Sequence, residues 1–496
     1  MKKNEVEIQN EGLCRALLNY KEAFFTALLC YFLIYGFELT HFTLSIDEEF
    51  TDNFVQTLSL GRWGHALLRH YILPEPYIPF FTTALSLIIL SISAATAACY
   101  LKLERFQALA FVIMISALPQ MAYQIEFSNQ SDTIAISVLL SVFSMLYINK
   151  SNKYNYFLFI MLTVFSLSIY QSIFLYSASL LCVKLVIDTV KNKTSFILAI
   201  KVMARFCILV LIALIINSLL TRYLAYHFQV PSSSYLTSMI GWGNKDYHEV
   251  LKIVMKFIFD NLTFNTFLGL NSFPFVLFFI FSIISLSVYR KEDSFLMIFL
   301  CLSSLLSVFI LNIILGAWLP PRAMTQMPVI FAGLFTALMI ASRVKWLGLI
   351  IAAAFLIVGS AASNKLFYSD YMARKSDDNF SYQMIDKIYN KYPSFDMNIT
   401  PVYFYGSTVP FNSWRVPTTD VFGSSFYEWD GGNNSRIYAY LRTANIANLK
   451  TPDIAQVKMS SEYAKSMPVW PNSDSISMNN GVLIIKIGPN LSPYNK

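Results

Sequence analysis

Apolar residues run in long blocks through the first 362 positions of this 496-residue chain, and the blocks stop at Ala362. Crossing roughly 30 Å of hydrocarbon at ~1.5 Å per helical residue takes about 20 apolar positions. Windows of that length predict membrane-spanning helices over 24–42, 78–101, 106–124, 130–148, 154–170, 172–190, 200–219, 272–289, 294–316, 325–342 and 346–362, eleven in all. The fifth and sixth are short, and only Tyr170 and Gln171 separate them, the pattern of a helical hairpin whose tip stays within the membrane boundary. Basic residues precede the first run (Lys2, Lys3, Arg15, Lys21), but it ends in FELTHF without a small-residue cleavage site. It reads as a retained span, not a signal peptide.

The placement of Lys and Arg orients these spans, because basic residues in short loops are held on the cytoplasmic side. With the N-terminus inside, the inner loops carry Lys102 and Arg105, Lys150 and Lys153, Lys184, Lys191 and Lys193, Arg290 and Lys291, then Arg343 and Lys345. The outer connections at 125–129 and 170–171 carry no basic residue, and that at 317–324 carries only Arg322. The outer segment 220–271 holds Arg222, Lys245, Lys252 and Lys256, but it is long enough for the rule to weaken. An odd number of spans sends the tail outside. The expected organisation is a transmembrane domain over 1–362, with a first outer loop 43–77 and the outer segment 220–271, and a C-terminal domain over 363–496. In that tail PVYFYG (401–406) and GVLIIKIG (481–488) read as short buried strands, while YQMIDKIYNKY (382–392) and RIYAYLRTANIANL (436–449) read as helices, giving a small α/β domain.

Composition agrees with a polytopic α-helical membrane protein: 55% of residues are hydrophobic, 14% are charged and the mean hydropathy is +0.50. The net charge of +7 resides mostly in the inner loops and gives no reason to invoke nucleic acid. Cys14, Cys30, Cys99, Cys182, Cys207 and Cys301 fall in predicted spans or on the inner side, so neither a disulfide scaffold nor a zinc spacing is indicated.

Candidate chemistry collects on the outer side. Asp47, Glu48 and Glu49 follow the first span, and the next stretch has helical polarity, with Leu60, Trp63, Leu67 and Tyr71 on one stripe and Arg62, His65 and Arg69 on the other. That is the pattern of a helix lying in the membrane plane with its basic face toward headgroups or a phosphate. Read blandly, the acids are solvated and the helix is a plain anchor. Glu126 and Asp132 flank the tip between the third and fourth spans, Tyr170 and Gln171 form the hairpin tip, and Arg322 follows two prolines at the outer end of the ninth span. Each has a structural reading of its own, as a polar pair, turn chemistry or a snorkelling arginine. Together they form an outward cluster, while the membrane midplane carries almost no ionisable residue, which speaks against a transporter. The pattern fits an enzyme of the outer leaflet. No nucleotide loop occurs, the lone Gly241-Trp242-Gly243 being too weak, and an activated group on that face would be lipid-carried, for instance a sugar on polyprenyl phosphate. Displacing a phosphate from a sugar needs a carboxylate base for the acceptor hydroxyl and a cation for the leaving phosphate. Asp47 or a neighbouring Glu offers the first, Arg322 the second. Three carboxylates could also hold a hard divalent cation, though nothing in the spacing demands it.

The acidic residues Asp47, Glu48 and Glu49, then Gly61-Arg62-Trp63, the Tyr170-Gln171 pair, Pro321-Arg322 and MPVWP at 467–471 follow an order that resembles the Gtr-type, serotype-converting O-antigen glucosyltransferases over nearly the whole chain. The resemblance implies a GT-C-like membrane enzyme that takes glucose from undecaprenyl phosphate glucose at the periplasmic face of the bacterial inner membrane and attaches it to lipid-linked O-antigen of lipopolysaccharide. It places the catalytic acid among Asp47, Glu48 and Glu49 without choosing one. It also implies two functional partners, one loading glucose onto the carrier and one flipping it. A direct inverting displacement is expected, with Asp47 as base and Glu48 or Glu49 orienting the acceptor or substituting in that role, Arg322 and Arg62 on the donor phosphate, and Trp63, Glu126, Asp132, Tyr170 and Gln171 around the substrates. Tail aromatics such as Tyr403, Tyr405, Trp414, Tyr427, Trp429 and Trp470 would face the acceptor, or else form the domain's core. An O-antigen polymerase or ligase, and a lipid-linked-sugar flippase, are the rival readings.

Overall fold

The computed structural model describes residues 13–148, 152–231, 239–263, 273–417 and 419–495. Lys2, Lys3, Lys150 and parts of the outer segment 220–271 lie outside these. The chain divides into two compact units, one comprising the chain up to Thr40 with Asn53–Asn364, the other His41–Asp52 with Lys365–Lys496. The loop expected to be the first outer one, 43–77, is therefore shared out: its head, including the three acids, belongs to the second unit.

In the first unit each of the eleven apolar runs contains a helix, but they differ in length. Among the described residues seven helices are long and apolar enough to cross a membrane, or up to eight if a bent pair is one span. This mostly helical chain is consistent with a polytopic membrane protein. The shortfall from eleven has local causes. The first run gives a helix Lys21–Tyr35 that ends at Gly36. The runs at 154–170 and 272–289 give the shorter apolar helices Lys153–Ile169 and Pro274–Tyr289. The run at 106–124 breaks into Arg105–Ala117 and Pro119–Ile125, bent by 48°. Leu118 there is extended (φ −87°, ψ 137°), as the residue before a proline prefers, and Pro119 has no N–H to continue the ladder.

Helices Pro79–Tyr100 and Ser131–Ile148 pack together, and Ser131–Ile148 also packs on Lys153–Ile169. Small and hydroxyl residues let these backbones approach, and hydroxyls bond across the seams: Ser137 Oγ to Ser166 Oγ at 3.0 Å and Ser179 Oγ to Ser307 Oγ at 2.8 Å. The loops expected on the inner side meet at one end of the unit, where Lys191 Nζ donates to Lys102 O (3.2 Å) and Arg290 Nη2 to Asn192 Oδ1 (2.9 Å). Gly241 and Trp242 lie against the end of the helix Ser294–Leu315, donating to Leu315 O and Ile313 O, so Gly241 serves packing there.

The second unit is built on the polar part of the long helix Trp346–Lys391 and a three-stranded sheet of order β1 (Val402–Tyr405), β3 (Val482–Lys486), β2 (Ile476–Asn479). β1 runs parallel to β3, with Val402 opposite Leu483, and β2 runs antiparallel to it. The parallel pair needs a crossover, which the helices Asn434–Thr443 and Ile454–Ser466 occupy. Tyr403, Tyr405, Val482 and Ile484 pack with Ala464 and Met467, and Tyr427 is also fully buried. These three tyrosines are core, the second of the two expectations for them: Tyr403 and Tyr405 on β1 join the cluster with β3, and Tyr427, outside the sheet, meets Ser381 of the long helix at 2.7 Å. The MPVWP stretch anchors the unit: Met467 is core, Trp470 N donates to Lys486 O, and Lys387 Nζ lies 4.2 Å from the Trp470 ring centre.

At Gly359 a Cβ would stand 1.6 Å from the carbonyl oxygen of Ala117, beside the break at Leu118, the tightest such position among the described glycines of the first unit. Gly359→Ala must push the two helices apart, and overpacking of this kind costs about 1–3 kcal/mol. The variant should melt at a lower temperature than wild type in detergent; an unchanged melting temperature would show that the contact is loose.

Candidate functional site

The acidic triplet is organised by an arginine 387 residues away. Ser45 to Glu48 form a turn in which Glu48 N donates to Ser45 O (3.1 Å), and Asp47, at its third position, has φ 79°, as a type II turn requires. The buried Glu48 carboxylate closes the turn by accepting from Ser45 N at 2.9 Å. Arg436, in the first turn of helix Asn434–Thr443, donates from Nη2 to Asp47 Oδ1 (2.9 Å), from Nη1 to Glu49 Oε1, and from Nε to Asp430 Oδ2 (2.7 Å). A cation at a helix N-terminus opposes the helix dipole, and the three carboxylates offset that cost. Thr443 Oγ1 donates to Glu49 O (2.8 Å), fixing the end of the acidic stretch as well.

The three acids are then unlike one another. Asp47 keeps 46% of its side chain exposed, whereas Glu48 and Glu49 are fully buried. Burial pushes Glu49 up to about 7 against the pull of Arg436, and its Oε2 has no hydrogen-bond partner among the described residues. For Arg436, burial works against the charge, but Asp47, Glu49 and Asp430 outweigh it and raise the guanidinium pKa. Arg436 thus stands among carboxylates that the sequence offers to a divalent cation; among the described residues no group of three or more His, Cys, Asp or Glu could hold a metal ion.

In the first unit the remaining candidates fall into three groups. The Arg62 guanidinium lies over the Tyr170 ring at 4.5 Å, and Gln171 Nε2 donates to Leu60 O at 2.9 Å, next to Gly61 with φ 73°. Trp63, beside them, is buried and donates from Nε1 to Asn217 Oδ1 (3.0 Å). Asp132 is buried on Arg69, Nη2 to Oδ1 at 2.5 Å, and accepts from Thr133 N at 2.8 Å. Arg322 sits 5.1 Å from the Phe127 ring centre, and its carbonyl accepts from Gln124 Nε2 at 2.8 Å. Glu126, between Gln124 and Phe127 in sequence, is buried.

The helix Trp63–Tyr71 departs from expectation. Its basic stripe does not face headgroups: His65 and Arg69 are buried against Thr133 and Asp132, while Tyr71 of the apolar stripe is exposed. The charge pattern seeks its partner inside the protein because Asp132 is itself buried. Burial, helped by Arg69 and Arg62, lowers the His65 pKa to about 3, so the ring is neutral. Thr133 Oγ1 donates its proton to Gln130 O, which makes His65 Nδ1 the donor of their 2.8 Å bond. Sequence reasoning missed Arg436 and Asp430. Arg436 opened a helix that was legible, yet nothing local tied it to residues near the other end of the chain.

Two variants test these charges. A raised carboxyl favours the folded state while protonated, so Glu49 contributes stability below about pH 4.5 that is lost as pH rises through about 7. The melting temperature of wild type should fall across that window relative to Glu49→Gln; parallel profiles would remove Glu49 as the titrating group. Arg69→Ala leaves Asp132 buried and uncompensated and should destabilise by about 3–5 kcal/mol in denaturant titration.

A family model described as glucosyl transferase GtrII matches residues 36–341. The match covers more than half of the chain and includes every candidate from Asp47 to Arg322, while Asp430 and Arg436 lie beyond it. No curated protein and no solved structure matches the chain. With its acids, Gly61-Arg62-Trp63, hairpin pair and Pro321-Arg322 all inside the matched stretch, the chain belongs to the GtrII family of glucosyl transferases.

Proposed function

We propose that this membrane protein moves glucose from undecaprenyl phosphate glucose to the lipid-linked O-antigen of lipopolysaccharide, at the periplasmic face of the bacterial inner membrane. The observation that carries this reading is Asp47, an exposed carboxylate fixed by Arg436 on a left-handed turn within the stretch that matches a glucosyl transferase family. Of the three acids it alone reaches solvent; Glu48 serves the turn and Glu49 shares the arginine.

The reaction is a direct inverting displacement. The acceptor hydroxyl oxygen attacks the anomeric carbon, the bond from that carbon to the phosphate oxygen breaks, and the lipid phosphate leaves with the electron pair. The acceptor proton passes to Asp47 as general base. Phosphate needs no general acid to leave, but charge grows on it, and Arg62 and Arg322 in the first unit are assigned to meet that charge. Arg62 suits that role because it rests on a tyrosine face and no carboxylate pairs with it among the described residues. In this reading the chain has a GT-C-like spanning domain with a cytoplasmic N-terminus and a periplasmic C-terminal α/β domain, and it works with a carrier-loading glucosyltransferase and a flippase.

Purified protein in detergent, given polyprenyl phosphate glucose and O-antigen acceptor, provides the test. Asp47→Asn should lower kcat by about 10²–10⁴-fold with the melting temperature preserved. Arg62→Ala and Arg322→Ala should each raise the donor KM. Full transfer by Asp47→Asn would remove Asp47 as base, and sugar-lipid translocation in vesicles without transfer would favour the flippase reading.

A further inference from the structure

Within the second unit, a cavity of about 250 Å³ opens between Ala373 on the long helix and the loops carrying Phe411, Asn412, Arg415 and Glu428. It is tied twice to the turn that carries Asp47. Asp370 accepts from Gly423 N on the cavity wall at 3.0 Å and also from Ser45 Oγ at the start of the turn. From Glu428 the chain runs two residues to Asp430, which holds Arg436 and through it Asp47. The same loop is fixed by Asp377, two helical turns on from Asp370 on the same face, which accepts from Ser425 Oγ (2.6 Å) and Phe426 N (2.8 Å).

The cavity wall has a particular chemistry. Arg415 and Glu428 form a two-pronged pair, at 2.8 and 3.2 Å, with 37% and 29% of their side chains exposed. Such a pair sums to zero charge while offering N–H donors and carboxylate lone pairs side by side. Phe411 is 85% exposed at the rim, and Trp414 is exposed nearby, edge-on to Tyr368 at 4.9 Å. Asn412 is held in place, its amide donating to Ser369 O and accepting from Trp414 N. A pyranose has hydroxyls around its edge, each able to donate and accept, and C–H groups on its faces; the wall offers a partner to both.

We propose that this cavity binds a neutral pyranose of the acceptor glycan, beside the residue whose hydroxyl Asp47 deprotonates. The proposal rests on the transferase reading. Because Arg415 and Glu428 neutralise each other, the wall offers no net charge to favour an acidic or amino sugar over a neutral one.

The test uses the full chain in detergent with O-antigen oligosaccharide freed of its lipid. Saturation-transfer NMR gives the glycan Kd without turnover, and transfer kinetics gives acceptor and donor KM. Phe411→Ala touches an exposed ring, so its fold is not at stake, and Glu428→Gln keeps the shape of the pair. Both should raise the glycan Kd and the acceptor KM about tenfold, with the donor KM at its wild-type value. Unchanged Kd and acceptor KM in both variants would overturn the cavity and leave the transferase reading standing. Glycan binding lost in both variants, with wild type transferring nothing, would keep the cavity and sink the transferase reading.

Discussion

Arg436 is a cation drawn largely out of water, and the geometry of the acidic turn depends on how it is neutralised. Only 16% of its side chain is exposed, and Asp47, Glu49 and Asp430 share its three donor positions. Burying a guanidinium without partners is prohibitive, so the carboxylates must come to it, and with them comes the stretch His41–Asp52. Once Glu49 is drawn into the interior and Glu48 closes on Ser45, the residue left at the surface is Asp47. Three adjacent acids of similar intrinsic acidity thereby become three different groups.

The same rule governs the first unit and explains where its basic stripe went. Arg69 and Asp132 are each too deep to stay charged alone, and they meet at 2.5 Å. Arg62, on the same short helix segment, instead rests on the Tyr170 face with its donors uncommitted to any acid among the described residues. Two arginines seven residues apart have thus become a structural cation and a candidate ligand for an anion. Helical periodicity grouped them; only the burial of Asp132 separates them.

What was legible in the sequence was local. Apolar runs marked the positions of the helices because hydrophobic periodicity acts over a few turns, and the strands at 402–405 and 482–486 stood out as short apolar runs between turn residues. Lengths were less legible: Pro119 sat in plain view within a predicted span, yet the bend needed Leu118 to take up an extended backbone. The acids could be singled out from their charge and position, but not their ranking, since that depends on Arg436 across 387 positions. The tail aromatics, which composition left as either glycan-facing or core, are divided by burial: Tyr403, Tyr405 and Tyr427 are core and Trp414 is exposed.

Charge balance also argues against a tempting alternative, that Arg436 itself grips the donor phosphate. A guanidinium whose three donor positions already meet three carboxylates sits in a region of net negative potential, and a phosphate brought there would meet repulsion first. That region suits the deprotonation of an uncharged hydroxyl, where a carboxylate must gain a proton and no anion need be held. In the proposed reaction Arg436 is therefore a positioning residue for Asp47. Its contribution lies in keeping one carboxylate exposed and oriented while its neighbours are buried, and Glu49, raised to about 7, makes that arrangement sensitive to proton concentration near neutrality.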